Sequence, residues 1–209
     1  MTSERIGIYG GTFDPIHNGH LSLAIEMLEK HHLDKIWFCP AAINPFKQTA
    51  YPVATCEHRS AMVGLALEGI PNCQVLNIET MENGPSYTVE TLRWVTNEAS
   101  RLQVTREFFL ILGEDVACEF PIWHQADEII RLATLLIGRR SHELFPSAHK
   151  ETTPAITQAI LEGMTQTRIM EVSSTEIRQR LAQGLCCRPW LPSKVIDYIS
   201  NYRLYSASL

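Results

Sequence analysis

Two histidines three residues apart, His17 and His20, follow a glycine pair, Gly10-Gly11, and enclose Asn18-Gly19. Residues three apart in the first turn of a helix share a face, so both imidazoles can point at whatever the glycine turn holds, and Gly19 keeps the space between them free of side chain. A glycine turn lets backbone N–H groups approach a ligand closely, and a helix start behind it adds unpaired N–H groups and a positive dipole end. The guest that suits such a place is a phosphate. Neither the GxxxxGK loop with its Ser or Thr nor GxGxxG occurs here. The metalloprotease zinc spacing, HExxH, is not met, and no acidic residue separates the two histidines. Taken singly the parts are weak, because paired histidines are often only surface or capping residues and a glycine pair often only a turn. Together they describe imidazole donors set around a bound phosphate.

A second anion site is written at Ser173-Ser174-Thr175-Glu176-Ile177-Arg178. Ser173 with Glu176 three later makes a capping box, a wholly structural reading. The functional reading needs the hydroxyls and Arg178: a hydroxyl-rich helix start with an arginine one turn on can grip a triphosphate tail. Lys47 is the only basic residue of the aperiodic segment 41–55, where a solvated lysine is the plainer reading. Asp115 follows the apolar run 108–112, at a strand end where ligands of open α/β sheets sit, although a helix cap is as good a reading of its spacing. Ser86 or Thr88 can cap the helix that starts there, and Trp123 is either a ring that stacks on a flat substrate or, more often, core.

The elements that must carry these residues alternate. Short β-prone runs at 5–9, 35–40, 74–79, 108–112, 134–138 and 168–172 are separated by helical patterns at 18–31, 56–68, from 86 or 88, before 130, 155–162, 173–183 and 192–202. Within them Leu21, Ala24, Ile25 and Leu28, then Met62, Leu65 and Ala66, and last Val195, Ile196 and Ile199 are the expected inward positions. The runs 35–40 (KIWFCP) and 108–112 (FFLIL) are apolar throughout, as strands buried on both faces are. The expectation is an α/β fold with a doubly wound, mostly parallel sheet. Residues 1–209 form a single domain on this reading, with the helical part 173–209 packing on the sheet, and 139–153 is a surface loop.

At 209 residues, 20% charged and 45% hydrophobic, the chain has globular composition. A net charge of −5 and a pI near 5.9 argue against a nucleic-acid-coating protein, so any phosphate must be met locally. No apolar run approaches the ~20 residues of a membrane span, and residues 1–4 lack signal-peptide character, which leads us to expect a cytoplasmic protein that binds no membrane. The cysteines at 39, 56, 73, 118, 186 and 187 show no CxxC spacing and are expected as reduced thiols. The sequence leaves the oligomeric state open, a homo-oligomer included.

The string Gly10-Gly11-Thr12-Phe13-Asp14-Pro15-Ile16-His17-Asn18-Gly19-His20 resembles the signature of the HxGH nucleotidyltransferase superfamily, and in particular its nicotinate-nucleotide adenylyltransferase branch. The resemblance runs through nearly the whole chain. It implies a Rossmann-like nucleotidyltransferase fold that transfers AMP from ATP to nicotinate mononucleotide in NAD biosynthesis, with Mg2+ carried by ATP and no protein metal ligands. It implies catalytic roles for His17, His20 and Lys47, and ATP contacts from Gly10, Gly11, Thr12, Phe13, His17, Gly19, His20, Gly113, Asp115, Ser173, Ser174, Thr175 and Arg178. Contacts to the mononucleotide are implied for Asn44, Lys47, Ser86, Tyr87, Thr88, Trp123 and His124. Four positions depart from the pattern: Asn44 and Phe46 replace the first proline and the histidine of PPHK, Glu114 replaces the alanine of G-A-D, and His124 stands where an aromatic such as tyrosine is common. Phosphopantetheine adenylyltransferases and cytidylyltransferases are the nearest alternatives, though they are not expected to carry Pro85-Ser86-Tyr87-Thr88. From another class comes a nucleotide sensor that keeps the fold without turnover, against which intact His17, His20 and Arg178 argue.

Overall fold

A computed structural model describes residues 3–43, 52–81, 84–139, 152–168 and 170–206. The elements alternate as expected: β1 (Glu4–Gly11), α1 (Asn18–Lys30), β2 (Lys35–Pro40), α2 (Cys56–Leu67), β3 (Cys73–Val75), α3 (Thr88–Arg101), β4 (Arg106–Gly113), α4 (Glu114–Ala117), α5 (Ala126–Leu132), β5 (Thr134–Arg139), α6 (Pro154–Gly163), β6 (Met164–Gln166), α7 (Ser174–Ala182) and α8 (Ser193–Tyr202). The six strands form one sheet in the order β3-β2-β1-β4-β5-β6, and the β1–β4, β4–β5 and β5–β6 pairings are parallel. This is the doubly wound order. It reverses between β1 and β4, and sheets of this order take ligands beyond the carboxyl ends of the strands at that reversal.

The chain divides into two compact units. The first comprises Met1–Gly10, Leu23–Trp37 and Tyr87–Ile169. Its core is built on Ile6, Ile8, Leu110, Ile111, Leu135 and Ile137, with α3 laying Val89, Leu92 and Val95 inward at helical spacing. The second comprises Gly11–Ser22, Phe38–Ser86 and Met170–Leu209. There Phe13, Phe38, Met62, Val63, Ile177, Val195 and Ile199 are buried. Helix α2 packs against α8, where His58 Nδ1 lies 2.9 Å from the Tyr198 hydroxyl.

Three strands differ from the sequence expectation: β1 runs on through Gly10-Gly11, the pair read as a turn, so the turn begins only after Gly11, and the two short strands have other bounds. β3 stops at Val75; beyond it the Asn77 carbonyl accepts the Thr80 hydroxyl at 3.0 Å, and a 3-10 turn follows at Glu79–Met81. The last strand is Met164–Gln166, not 168–172. Pairing ends there because the Arg168 N–H goes to the Glu26 carboxylate, at 3.1 and 3.2 Å. Apolar stripes were read nearly in phase: Leu21, Ala24, Met62 and Ala66 are buried, whereas Ile25, Leu28, Leu65 and Ile196 are half-buried. The cap of α3 is a correction. Tyr87 is its N-cap without a side-chain bond, Thr88 is its first residue, and the Ser86 hydroxyl accepts from the Ala42 N–H at 2.8 Å.

Candidate active site

In the second unit the chain leaves β1 at Gly11 and turns through Phe13, a non-glycine residue held at φ 49°, into a cis Asp14–Pro15 peptide. The Phe13 ring is buried edge-on to His20, centroids 5.1 Å apart, and packs on Phe38 at 5.9 Å. A Cβ at Gly11 would lie 2.9 Å from that ring, so a side chain there would displace Phe13. The His17 carbonyl accepts the His20 N–H at 2.9 Å as the first turn of α1 closes. In the same turn the His17 N–H donates to His20 Nδ1 at 3.2 Å, and the two imidazoles stack with centroids 3.7 Å apart. With Nδ1 accepting, a neutral His20 carries its proton on Nε2 and is a donor at that end. His17 is buried and His20 half-buried. Gly19 does not keep a gap between the two imidazoles, which stack on each other; it permits close packing instead, since a Cβ there would meet Val172 Cγ1 at 2.8 Å and the His17 ring at 3.1 Å. Asn18 anchors this start, its N–H donating to the Trp190 carbonyl at 2.8 Å and its side-chain amide to Pro189 at 3.0 Å.

Asp14, which the sequence reading passed over, joins several segments of this unit. Its buried carboxylate accepts from the Val53 N–H at 2.8 Å, the Ala54 N–H at 3.1 Å and the Tyr205 hydroxyl at 2.7 Å. Burial and the neighbouring Asp14 charge push the Tyr205 phenol well up, so it stays a donor. Arg178, one turn into α7, donates to the Asp14 carbonyl at 2.6 Å and to Thr175 Oγ1 at 3.2 Å, with Asp14 Oδ2 3.8 Å away. The other hydroxyls of that motif are also engaged: Ser173 Oγ accepts from the Glu176 N–H at 3.1 Å, the N-cap half of the capping box, and Ser174 donates to the Pro15 carbonyl at 2.9 Å. Ser174 and Arg178 thus bring the SSTEIR helix onto the turn that carries the histidines.

Arg59 was also missed. It is fully buried and donates to the carbonyls of Thr12 at 2.6 Å, Ala42 at 3.1 Å and Ala54 at 3.3 Å, so one guanidinium ties the histidine turn to the segments beside it. Its place on the buried stripe of α2, with Met62, Val63 and Ala66, was readable from helical periodicity. Tyr205 had no comparable signal. Its partner lies 191 residues away. Lys47, Asn44 and Phe46 lie outside the described residues.

The first unit holds the other candidates. At Gly10 a Cβ would meet nothing within 4 Å. Tyr87, 36% exposed, packs its ring on His124 with centroids 4.8 Å apart, so two residues implied to contact the mononucleotide meet. Trp123 is half-buried against Phe120 at 5.4 Å. Arg93 holds α3 to α5 through both oxygens of Glu128, at 2.8 and 2.6 Å, which steadies the segment after His124. Gly113, and not Asp115, is the N-cap of α4; Asp115 is exposed in its first turn, with Oδ1 folded back to 2.7 Å from where a Gly113 Cβ would stand. Glu114 faces Arg139 at 3.9 Å.

Among the described residues no group of three or more His, Cys, Asp or Glu could hold a metal ion, and no helix is long and apolar enough to cross a membrane. Comparison with known proteins places the chain. A cytidylyltransferase-like family model matches residues 8–180. Relatives named "Probable nicotinate-nucleotide adenylyltransferase" include one from Roseiflexus sp., 36% identical and covering 98% of this chain and 100% of the relative. Another, from Shewanella frigidimarina, is 32% identical over 96% of this chain and 99% of its own. A solved structure, Plasmodium falciparum nicotinic acid mononucleotide adenylyltransferase complexed with NaAD, shares the fold with a TM-score of 0.73 at 20% identity, covering 97% of each chain. Its likeness, and near-full-length relatives above 30% identity, accord with the histidine turn and doubly wound sheet: the chain belongs to the nicotinate-nucleotide adenylyltransferase family of cytidylyltransferase-like proteins.

Proposed function

We propose that this protein transfers AMP from ATP, as its magnesium complex, to nicotinate mononucleotide, giving nicotinate adenine dinucleotide and pyrophosphate. An oxygen of the mononucleotide phosphate forms the new bond to the α-phosphorus, and the bond from that phosphorus to the bridging oxygen of the β-phosphate breaks. The nucleophile is ionised at neutral pH, so no general base is needed; alignment and charge neutralisation are the work left to the protein. The observation that carries this reading is the stacked His17–His20 pair, in which the His17 N–H bonds His20 Nδ1 and so places the proton of the neutral ring on Nε2.

On this reading His20 and His17 meet the α-phosphate, Gly10 and Gly11 let backbone come close to it, and Arg178 with the Ser173-Ser174-Thr175 start of α7 meets the rest of the triphosphate. Thr12, Phe13, Gly19, Gly113 and Asp115 line the ATP side, and Lys47 supplies a further cation. Magnesium is held by the polyphosphate, which accords with an Asp14 carboxylate already committed to Val53, Ala54 and Tyr205. Tyr87, Thr88, Trp123 and His124, with Ser86 and Asn44, hold the mononucleotide. Backbone N–H groups at the start of α3 favour the carboxylate of nicotinate over the amide, whose NH₂ would face donors. Residues 1–209 act as one cytoplasmic nucleotidyltransferase domain.

The test is pyrophosphate release from ATP and magnesium with nicotinate mononucleotide, nicotinamide mononucleotide or phosphopantetheine. Nicotinate mononucleotide should give the largest kcat/KM, by up to ~10⁴ over the amide, since sites built on specific hydrogen bonds discriminate on that scale. Equal values for acid and amide, or turnover only with phosphopantetheine, would refute the assignment.

A further inference from the structure

We infer that Tyr205 is a positioning residue for the triphosphate site: its hydroxyl holds the Asp14 carboxylate so that Arg178 stays available to an incoming phosphate instead of closing on Asp14. The inference rests on the reading of Arg178 given above.

Three observations meet at Asp14. First, its carboxylate is buried and bonded by three donors, two from the backbone at Val53 and Ala54 and one from the side chain of Tyr205, at 2.7 Å. Second, the Arg178 guanidinium is already beside it, bonded at 2.6 Å to the Asp14 carbonyl, yet 3.8 Å from Oδ2, short of a close ion pair. Third, the backbone on both sides of the hydroxyl bond is held in the left-handed region, at φ 49° for Phe13 and φ 59° for Tyr205. Neither residue is glycine. Both turns lie next to the hydroxyl bond, one beside the acceptor and one at the donor. The tail reaches this position after α8 because Arg203, at φ 53°, turns the chain and the Leu204 N–H closes on the Ile199 carbonyl at 3.0 Å.

A carboxylate whose charge is spread over three hydrogen bonds attracts a nearby guanidinium less than one with a bare oxygen. Removal of the hydroxyl leaves Oδ1 with the Ala54 N–H alone. Arg178 then answers that charge, and its planar fork is drawn from the phosphate to the carboxylate. Tyr205 acts on ATP through Arg178 and touches neither substrate.

The experiment compares KM for ATP and for nicotinate mononucleotide in the full-length chain, in Tyr205→Phe, in Arg178→Ala and in the double variant. Tyr205→Phe should raise KM for ATP roughly tenfold, the factor that goes with weakening one charge-assisted hydrogen bond, with KM for the mononucleotide within about twofold. In the Arg178→Ala background the same substitution should add nothing to KM for ATP, a non-additivity that a merely structural role would not produce. Should Tyr205→Phe not fold, Tyr205→Met, which fills the space with a flexible apolar side chain, carries the same expectation. Unchanged KM for ATP in the tyrosine variant, or effects of the two sites that multiply, would overturn the role of Tyr205 and leave that of Arg178 standing. Unchanged KM for ATP in Arg178→Ala would overturn both.

Discussion

His17 and His20 show how one pair of residues can serve geometry and chemistry together. The bond from the His17 N–H to His20 Nδ1 costs no extra side chain, closes the first turn of α1 and settles the tautomer of the outer ring. His20→Ala is therefore expected to reduce kcat by ~10²–10³, the usual loss for one preorganised donor, with little change in the melting temperature. His17→Ala should lose rate on the same scale and also stability, because the residue is 4% exposed and its ring stacks on His20. Steady-state kinetics alongside thermal melts separates the two effects. Near-normal turnover in a folded His20→Ala would take that ring out of the chemistry.

At the scale of elements, the joints matter more than the helices they join. Arg59 reaches from α2 to the carbonyls of Thr12, Ala42 and Ala54, and its bonds to Ala42 and Ala54 are buried. Arg59→Met keeps the apolar stem but strands the acceptors, so urea titration should find a loss of about 3 kcal/mol or more, at ~1–3 kcal/mol for each unsatisfied group. A neutral outcome would mean that the guanidinium is replaceable by packing. The α7 joint is milder. Ser173→Ala removes the N-cap bond to the Glu176 N–H and is expected to cost about 1 kcal/mol, a fall of roughly 2–4 °C in melting temperature for a chain of this size. Calorimetry that finds no shift would mean water replaces the cap without loss.

For the whole molecule the titrating groups set a window of stability. Lys35 bonding, with Arg106 beside it, holds Glu4 below its ordinary 4.5, so the unfolded chain takes up this proton more readily and stability falls as pH drops through that range. Burial, with the Arg5 charge nearby, lowers His31 from 6.5, so the unfolded chain takes up this proton first and stability begins to fall once pH drops below about 6.5. The alkaline side has the opposite sign. Burial, with Glu79 near, raises the Cys39 thiol well above 9.0, and burial beside Asp14 raises Tyr205 above 10.0, so the unfolded chain releases these protons first and stability is lost above pH 9–10. Melting temperatures measured from pH 4 to 11 should be highest between about 6.5 and 9. A midpoint that keeps rising past pH 10 would contradict this account of Tyr205.

Much was legible in the sequence because it is written in near neighbours. The periodicities of α1, α2 and α8, the apolar runs of β2 and β4, the glycine–histidine string and the N-cap at Ser173 are local patterns within a few turns or one strand, and each could be read from its own residues. What the tertiary structure decided is where distant groups meet. Asp14 takes the Ala54 N–H from 40 residues away and the Tyr205 hydroxyl from 191, Arg178 settles on the Asp14 carbonyl, and Ser86 gives up its cap to bond Ala42. The end of β6 was settled the same way, by Glu26 on Arg168. A donor's partner across the fold leaves no periodicity behind; it is chosen by burial, which forces each polar group removed from water to find whatever acceptor the packing has brought within reach.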